Sequence, residues 1–354
     1  MNKLDKDYIE LLKDILENGI EKNTRNGKVL SVFGRQLRHK MKEGFPLLTS
    51  KKMYFKGIVT ELLWFLEGKT DLRTLLERDN TIWVGDAYER YKKQLNGLEK
   101  TLTKEEFINK IKTDDRFNDL YGDLGPIYGF QWRNFTGVEF VYNESKNLVD
   151  YKLTHIDQIK NLINELKTNP DSRRLIVTAW NPVDLNQMAL PPCHYGFQLY
   201  TKKLSLKERN EYYTSYFKDS SKTEEELDKM NIPTRTISLM WHQRSVDAPL
   251  GLPFNIASYG LLLEIIAKMV NMIPDELIGT LGDIHIYQNQ IEGVKKQIKR
   301  SFFKLPTINM NATKTDTFWK DLSENLSLLT HLDIDSFGLE NYQSHPTIKF
   351  PLSN

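Results

Sequence analysis

Apolar and polar positions along this chain fall into blocks whose period changes, and each period predicts an element. In residues 4–17 the apolar positions Leu4, Tyr8, Ile9, Leu11, Leu12, Ile15 and Leu16 follow a near-helical repeat, with Gly19 just beyond. That spacing predicts an amphipathic helix with a glycine stop. Residues 29–41 mix Val29, Leu30, Val32 and Phe33 with Arg35, Arg38 and Lys40, as a strand with one wet face would. Residues 58–66 are apolar enough for a buried helix, so Glu61 within them needs an explanation. A second amphipathic helix is expected over 155–166 and a long apolar one over 257–272. Residues 175–180, 197–200 and 237–241 read as interior strands.

Two stretches, about 90–121 and 201–235, are rich in Lys, Glu, Asp and Asn and read as charged insertions. Thr103 with Glu106, and Thr223 with Glu226, have capping-box spacing, so each stretch is expected to hold a short surface helix. There is no internal repeat, low-complexity tract or Gly/Ser linker, which favours a single domain over residues 1–354. Strands and helices mix without regular βαβ alternation, and the expected class is α+β.

Composition narrows the functional classes. The 354 residues, 40% hydrophobic and 27% charged, suit a globular chain with a substantial core. Forty-nine basic against 47 acidic side chains leave a net charge of +2, so no broad field exists for nucleic acid or an anionic membrane. Any anion site must be local. A single cysteine excludes an internal disulfide, and no apolar run approaches the ~20 residues of a bilayer span. Acidic residues at Asp5 and Asp7 occupy the place of a signal peptide's basic flank, so a cytoplasmic setting is expected.

That cysteine, Cys193, stands in Pro191-Pro192-Cys193-His194, where two prolines stiffen the backbone and a polar ring follows. A lone cysteine is ordinarily a small buried hydrophobe, but positive charge can lower a thiol's pKa and make it a nucleophile. Arg25, the pair Arg173 and Arg174, and Arg244 are the candidates to supply that charge, or else they are solvated surface groups. Guanidinium forks suit phosphate oxygens, and Ser245 adds a hydroxyl beside Arg244. Asn255, between Phe254 and Ile256, is either a buried structural amide or a donor and acceptor matching the O4 and N3–H edge of uracil. His285 and Tyr287 share one face of an expected strand and could bond a ribose hydroxyl. Glu61, desolvated in its helix, is a candidate proton carrier near neutral pH.

Several segments together resemble thymidylate synthase. They include 44–49, 61–66, 123–129, 131–133, 171–174, the Pro-Pro-Cys-His core, 243–247, 253–259, and Gly282-Asp283 leading to His285 and Tyr287. The similarity runs over nearly the whole chain, and so many segments in one order form a specific signal. The resemblance implies a large mixed twisted sheet flanked by helices, in a homodimer with a two-fold axis through the sheet. It implies reductive methylation of deoxyuridine monophosphate (dUMP), with 5,10-methylenetetrahydrofolate as cosubstrate and no metal. Cys193 would add to C6 of uracil, with Glu61, Tyr128, His194, Asn255 and Asp247 in the catalytic network. Arg25, Gln243, Arg244, Ser245, Asp247, Asn255, His285 and Tyr287 would bind dUMP, and Arg173 and Arg174 would reach in from the partner subunit. Lys51, Ile82, Trp83, Leu190, Asp247, Leu250, Gly251, Phe254 and Tyr287 would accommodate folate.

The chain departs from that family's pattern in three places. It reads Val84-Gly85-Asp86 after Trp83, Asn26-Gly27-Lys28 after Arg25, and Leu352-Ser353-Asn354 at the tail that would close over folate. A deoxyuridylate hydroxymethylase shares every step up to the last, where water replaces hydride, and is the nearest alternative. Asn255 in place of aspartate argues against a deoxycytidylate enzyme. A non-catalytic nucleotide-binding protein, or a nucleic-acid binder using its Lys-rich insertions, completes the set of readings.

Overall fold

The long central strands of the main sheet bury every second residue over most of their length, and this alternation sets the sheet against one core. The computed structural model describes residues 2–97, 100–145 and 147–352. The last two residues of the tail, Ser353 and Asn354, therefore lie outside the described residues. The strands are β1 (Ile20–Thr24), β2 (Gly27–Lys40), β3 (Phe135–Asn143), β4 (Leu148–Ile156), β5 (Ile176–Thr178), β6 (His194–Lys203), β7 (Arg235–Asp247), β8 (Ile273–Tyr287), β9 (Thr307–Asn309) and β10 (Gly338–Glu340). The first helices are α1 (Lys3–Asn18), α2 (Phe55–Leu66), α3 (Leu72–Leu76), α4 (Val84–Leu95), α5 (Lys104–Thr113), α6 (Asp115–Tyr121) and α7 (Tyr128–Asn134). After them come α8 (Gln158–Thr168), α9 (Leu206–Phe217), α10 (Glu224–Lys229), α11 (Gly251–Met269), α12 (Ile291–Gln297) and α13 (Asp316–Glu324).

The main sheet runs β1-β2-β8-β7-β6-β5. It is mixed, since β7 and β8 are parallel and every other pair is antiparallel. Helices α1 and α11 pack on one face, where Leu37, Phe197, Leu199, Ile237, Leu239, Trp241, Leu277 and Leu281 are buried. The opposite face stays open: Ile176 is 54% and Tyr200 69% exposed, with Met240 and Ile278 partly so. Nineteen-residue α11 is long and apolar enough to cross a bilayer, but 72% of that stretch is buried, as in a core helix. Register brings the ends of three strands together, pairing Asp247 with His285, His194 with Gln243 and Val29 with Tyr287.

The expected helices at 4–17 and 58–66 and the strand at 29–41 are present, and Gly19 caps α1. Both capping boxes form. Four details differ. Helix α8 starts at Gln158, because Asp157 caps it and His155 pairs with Thr136 in the β3–β4 hairpin. Of the three expected interior strands, the one at 175–180 is the sheet edge, burying Leu175, Val177 and Ala179 and exposing Ile176. Helix α11 begins six residues before the expected 257, so Asn255 lies in its first turns. Lastly, α5 is no surface appendage, since Phe107 and Ile111 are fully buried beside Tyr91 and Phe117 in the main core. The second charged stretch instead builds a satellite cluster of Tyr213, Leu227 and Ile232.

Gly279 makes room for the Trp241 indole, which lies where a Cβ would stand. We expect Gly279→Ala to lower stability by about 2 kcal/mol through overpacking, read as a lower urea midpoint at unchanged slope. An unshifted midpoint would show that the indole can give way.

Candidate active site

Cys193 ends the loop entering β6 and is half-buried. Its backbone N–H donates to the Tyr128 hydroxyl at 2.7 Å, tying the cysteine's loop to the start of α7. Arg244, across the β6–β7 ladder, donates from Nε to the Pro192 carbonyl at 2.8 Å and from Nη2 to the Pro191 carbonyl at 3.1 Å. Its backbone N–H donates to the Cys193 carbonyl at 2.9 Å. The guanidinium lies 5.3 Å over the Trp180 ring.

Burial pushes the Cys193 thiol above its ordinary pKa, outweighing the nearby Arg244 charge, while Asp86 pushes in the same direction as burial. Of the arginines expected to converge on the thiol, Arg244 is the one whose charge acts on it in the single chain, and desolvation outweighs it. Arg25 is exposed at the β1–β2 turn, and its charge reaches Asp86 and Tyr287. Arg173 and Arg174 are exposed, with no side-chain hydrogen bond or ion pair among the described residues.

His194 stacks on Tyr128 at 4.2 Å between centroids, and its Nδ1 meets the Tyr259 hydroxyl at 2.8 Å. Burial lowers its pKa to about 3, so the imidazole is neutral at pH 7. Glu61 accepts from the Trp83 indole N–H at 2.9 Å. Desolvation raises its pKa to about 7, with the indole bond opposing more weakly. No hydrogen bond joins Glu61 directly to His194 among the described residues.

Asn255 is partly exposed rather than sealed in the core. Its Oδ1 accepts from Gln243 Nε2 at 3.0 Å, and Gln243 Oε1 in turn accepts from Trp241 Nε1 at 3.2 Å. This relay orients Asn255 so that its NH₂ faces outward. Gln243, expected among the dUMP-binding residues, is only 3% exposed and supports the Asn255 amide. Ser245 is half-buried, with its carbonyl accepting from Gln243 at 3.2 Å.

Asp247 accepts from the Leu250 N–H at 2.9 Å and from Gln290 at 2.7 Å, and burial raises its pKa. His285 bonds Asp283 at 3.2 Å and meets Tyr287 edge to face at 5.2 Å. The Tyr287 hydroxyl feels Asp247, Cys193 and Arg25 and is bonded by Asn26, which places all four residues around one ring. Lys51 is one of the residues expected to accommodate folate, and it is buried. It is 3% exposed, its ammonium donates to the Pro249 carbonyl, and it lies 4.9 Å under the Phe350 ring. Ile82 is 45% exposed, Trp83 buried, and Leu190, Leu250, Gly251 and Phe254 partly exposed. Residues outside the sequence-level site are Asp86, Trp180, Tyr259 and Gln290. The acid at 86 stood out only as a departure, Tyr259 lies at the end of the segment 253–259 without standing out in it, and Trp180 and Gln290 carry no local signal.

A chain that gathers a thiol, a guanidinium, a desolvated carboxyl and an outward amide at one end of a sheet has the makings of an enzyme that attacks a polar, anionic substrate covalently. A family model described as thymidylate synthase matches residues 6–354. The chain is 40% identical over 344 residues to the thymidylate synthase of Phytoplasma mali, covering 97% of each chain. It is 39% identical over 345 residues to that of Malacoplasma penetrans, covering 97% of this chain and 98% of the relative. With that of Listeria monocytogenes it shares 37% identity over 368 residues, 98% of this chain and 99% of the relative. The chain belongs to the thymidylate synthase family.

Proposed function

We propose that this chain, a methyltransferase, converts dUMP to thymidylate (dTMP) and that Cys193 begins the reaction. The observation that carries the reading is the clasp of Arg244 on the Pro191 and Pro192 carbonyls, which sets a guanidinium beside the nucleophile. Arg25, Arg244 and Ser245 hold the phosphate in this proposal, Asn255 reads the uracil edge, and His285 with Tyr287 bonds the deoxyribose hydroxyl. Cys193 sulfur bonds to C6, the ring electrons move toward C5 and O4, and the Asn255 NH₂ stabilises the oxyanion. Glu61 passes protons through water with neutral His194 as a hydrogen-bond partner, and Tyr128 helps to remove the C5 proton. Cys193 leaves again as thiolate when the product forms.

5,10-Methylenetetrahydrofolate supplies the one-carbon unit and the hydride when bound, ending as dihydrofolate. The partly exposed apolar rim of Ile82, Leu190, Leu250 and Phe254, with Gly251 at the start of α11 and the Trp83 indole, suits its flat rings. Tyr287 and Asp247 lie at the junction of the two ligands, and Lys51 backs the wall from inside.

The proposal extends to a homodimer joined through the open sheet face. There, Ile176, Tyr200, Met240 and Ile278 offer an apolar patch, and unpartnered Arg173 and Arg174 would reach the partner's phosphate. A single domain with charged insertions at about 90–121 and 201–235, working in the cytoplasm without a metal, belongs to the same reading. The test is mass analysis of the nucleotide after incubation with dUMP and methylenetetrahydrofolate. The expected product carries a methyl group. A hydroxymethyl product would mean that water reaches the intermediate, and an unchanged nucleotide would leave a binding protein.

A further inference from the structure

Gln290 is 1% exposed, yet it joins three parts of the molecule. Its Oε1 accepts from the Tyr287 backbone N–H at 3.1 Å. That bond fixes the amide's orientation and turns Nε2 toward two acceptors. One is Asp247 Oδ2 at 2.7 Å and the other is the carbonyl of Pro351 at 3.1 Å, close to the chain's end. One step back, the Phe350 ring is 8% exposed and lies against Gly293, where an added Cβ would come within 2.6 Å of it. The same ring covers the Lys51 ammonium, whose hydrogen bond goes to Pro249 in the loop that Asp247 holds.

We infer that Gln290 is a positioning residue: it fastens the C-terminal segment at Pro351 to the Asp247 carboxylate, so that seating the tail and setting the 247–250 loop become one event. The inference rests on the reading of Asp247 and Tyr287 as substrate-facing groups. A buried amide with both donors and its acceptor engaged cannot lose one partner without leaving a polar atom unpaired, so the three bonds form or break together. Gly293 supplies the second half of the socket, since only a bare backbone lets Phe350 sit down far enough for Pro351 to reach Gln290. Asp247 in turn holds the Leu250 N–H at the entrance to α11, which carries Phe254 and Asn255. Tail seating thereby acts on the folate wall, while the phosphate clasp on Arg244 stands apart from it.

Two variants test this in the full-length protein. Gln290→Leu keeps the volume and removes all three bonds, whereas Gly293→Ala crowds Phe350 and leaves Gln290 intact. Exposed Lys349 precedes buried Phe350, so brief trypsin treatment followed by intact-mass analysis reports an unseated tail as loss of residues 350–354. Both variants should lose that segment at least about fivefold faster than the parent, the signature of local opening. Both should also raise the folate KM by about tenfold, and in Gly293→Ala, which leaves the Gln290 bonds to Asp247 and Tyr287 in place, dUMP affinity should stay within about twofold. Unchanged cleavage in both variants overturns the inference, as does a dUMP affinity of Gly293→Ala that falls as far as its folate KM rises, which would mark general damage. Should the parent protein make no thymidylate, the functional reading fails by itself. Tail cleavage in both variants and dUMP binding by Gly293→Ala then still decide the role of Gln290: faster cleavage in both with unaltered nucleotide binding by Gly293→Ala upholds it, and any other pairing rejects it.

Discussion

Cys193→Ser is expected to cut thymidylate formation by about a thousandfold or more while leaving dUMP affinity within about threefold. The argument rests on what each atom contributes. Binding energy for the nucleotide is assigned to charged and amide groups, Arg244 on its proline carbonyls and Asn255 on its Gln243 relay, and none of these bonds passes through the sulfur. Bond making at C6 is assigned to the sulfur alone. A serine hydroxyl is far harder to ionise, and the same burial that raises the thiol's pKa would raise the hydroxyl's further. The loop should hold its place, because Cys193 is anchored by its backbone N–H on Tyr128 and its carbonyl on Arg244. Calorimetric dUMP titration and a product assay on the same preparation give both numbers. Turnover within tenfold of the parent would mean that another group starts the reaction.

The raised thiol bears on how the site works. With no dianion bound, burial leaves Cys193 mostly protonated at neutral pH, so the enzyme does not carry a permanently reactive thiolate. Protons must then move as the substrate arrives. That gives weight to Glu61, a buried carboxyl whose pKa sits near neutrality, and to a hydroxyl, that of Tyr128, held against the Cys193 backbone.

Much of this was legible in the chain because it is written locally. Two prolines ahead of Cys193, a carboxyl inside an apolar helix, and an amide between Phe254 and Ile256 each contradict their surroundings in a way that a short window reveals. Glu61 confirms the rule, since the apolar run that exposed it as odd is also what desolvates it. Residues whose meaning comes from strand register were invisible. Gln290 reaches Asp247 only because β8 runs parallel to β7 and ends beside it, a pairing of residues 43 positions apart. Trp180 meets Arg244, and Gln243 reaches Asn255, by the same long-range route. The β3–β4 hairpin is a different case. Val138, Phe140 and Tyr142 alternate with Gly137 and Glu139 and do carry a strand signal. These three side chains are 54%, 75% and 58% exposed, so burial, the usual cause of such alternation, is not its cause here.

Glu61→Gln should separate chemistry from stability, because the two respond in opposite directions. Glutamine mimics the neutral acid without carrying a titratable proton, so turnover is expected to fall by about a hundredfold or more. Stability should rise, and only above a defined pH. Folding lifts the Glu61 pKa from 4.5 to about 7, so between those values the folded protein holds a proton that the unfolded chain has released. Its stability contribution is therefore complete below pH 4.5, declines as pH climbs, and is lost above about 7. The ionised carboxylate then costs the folded state on the order of 3 kcal/mol relative to a neutral isostere. Urea midpoints of parent and variant should coincide near pH 4.5 and diverge upward, with the variant the more stable at pH 8. Taking the difference between the two proteins cancels the titration of Lys51, Asp247 and the other shifted groups that both retain. A gap that stays flat from pH 4.5 to 8 would show Glu61 to be ionised throughout, and the carboxyl could then serve only as a fixed charge, with proton transfer assigned to Tyr128 and water.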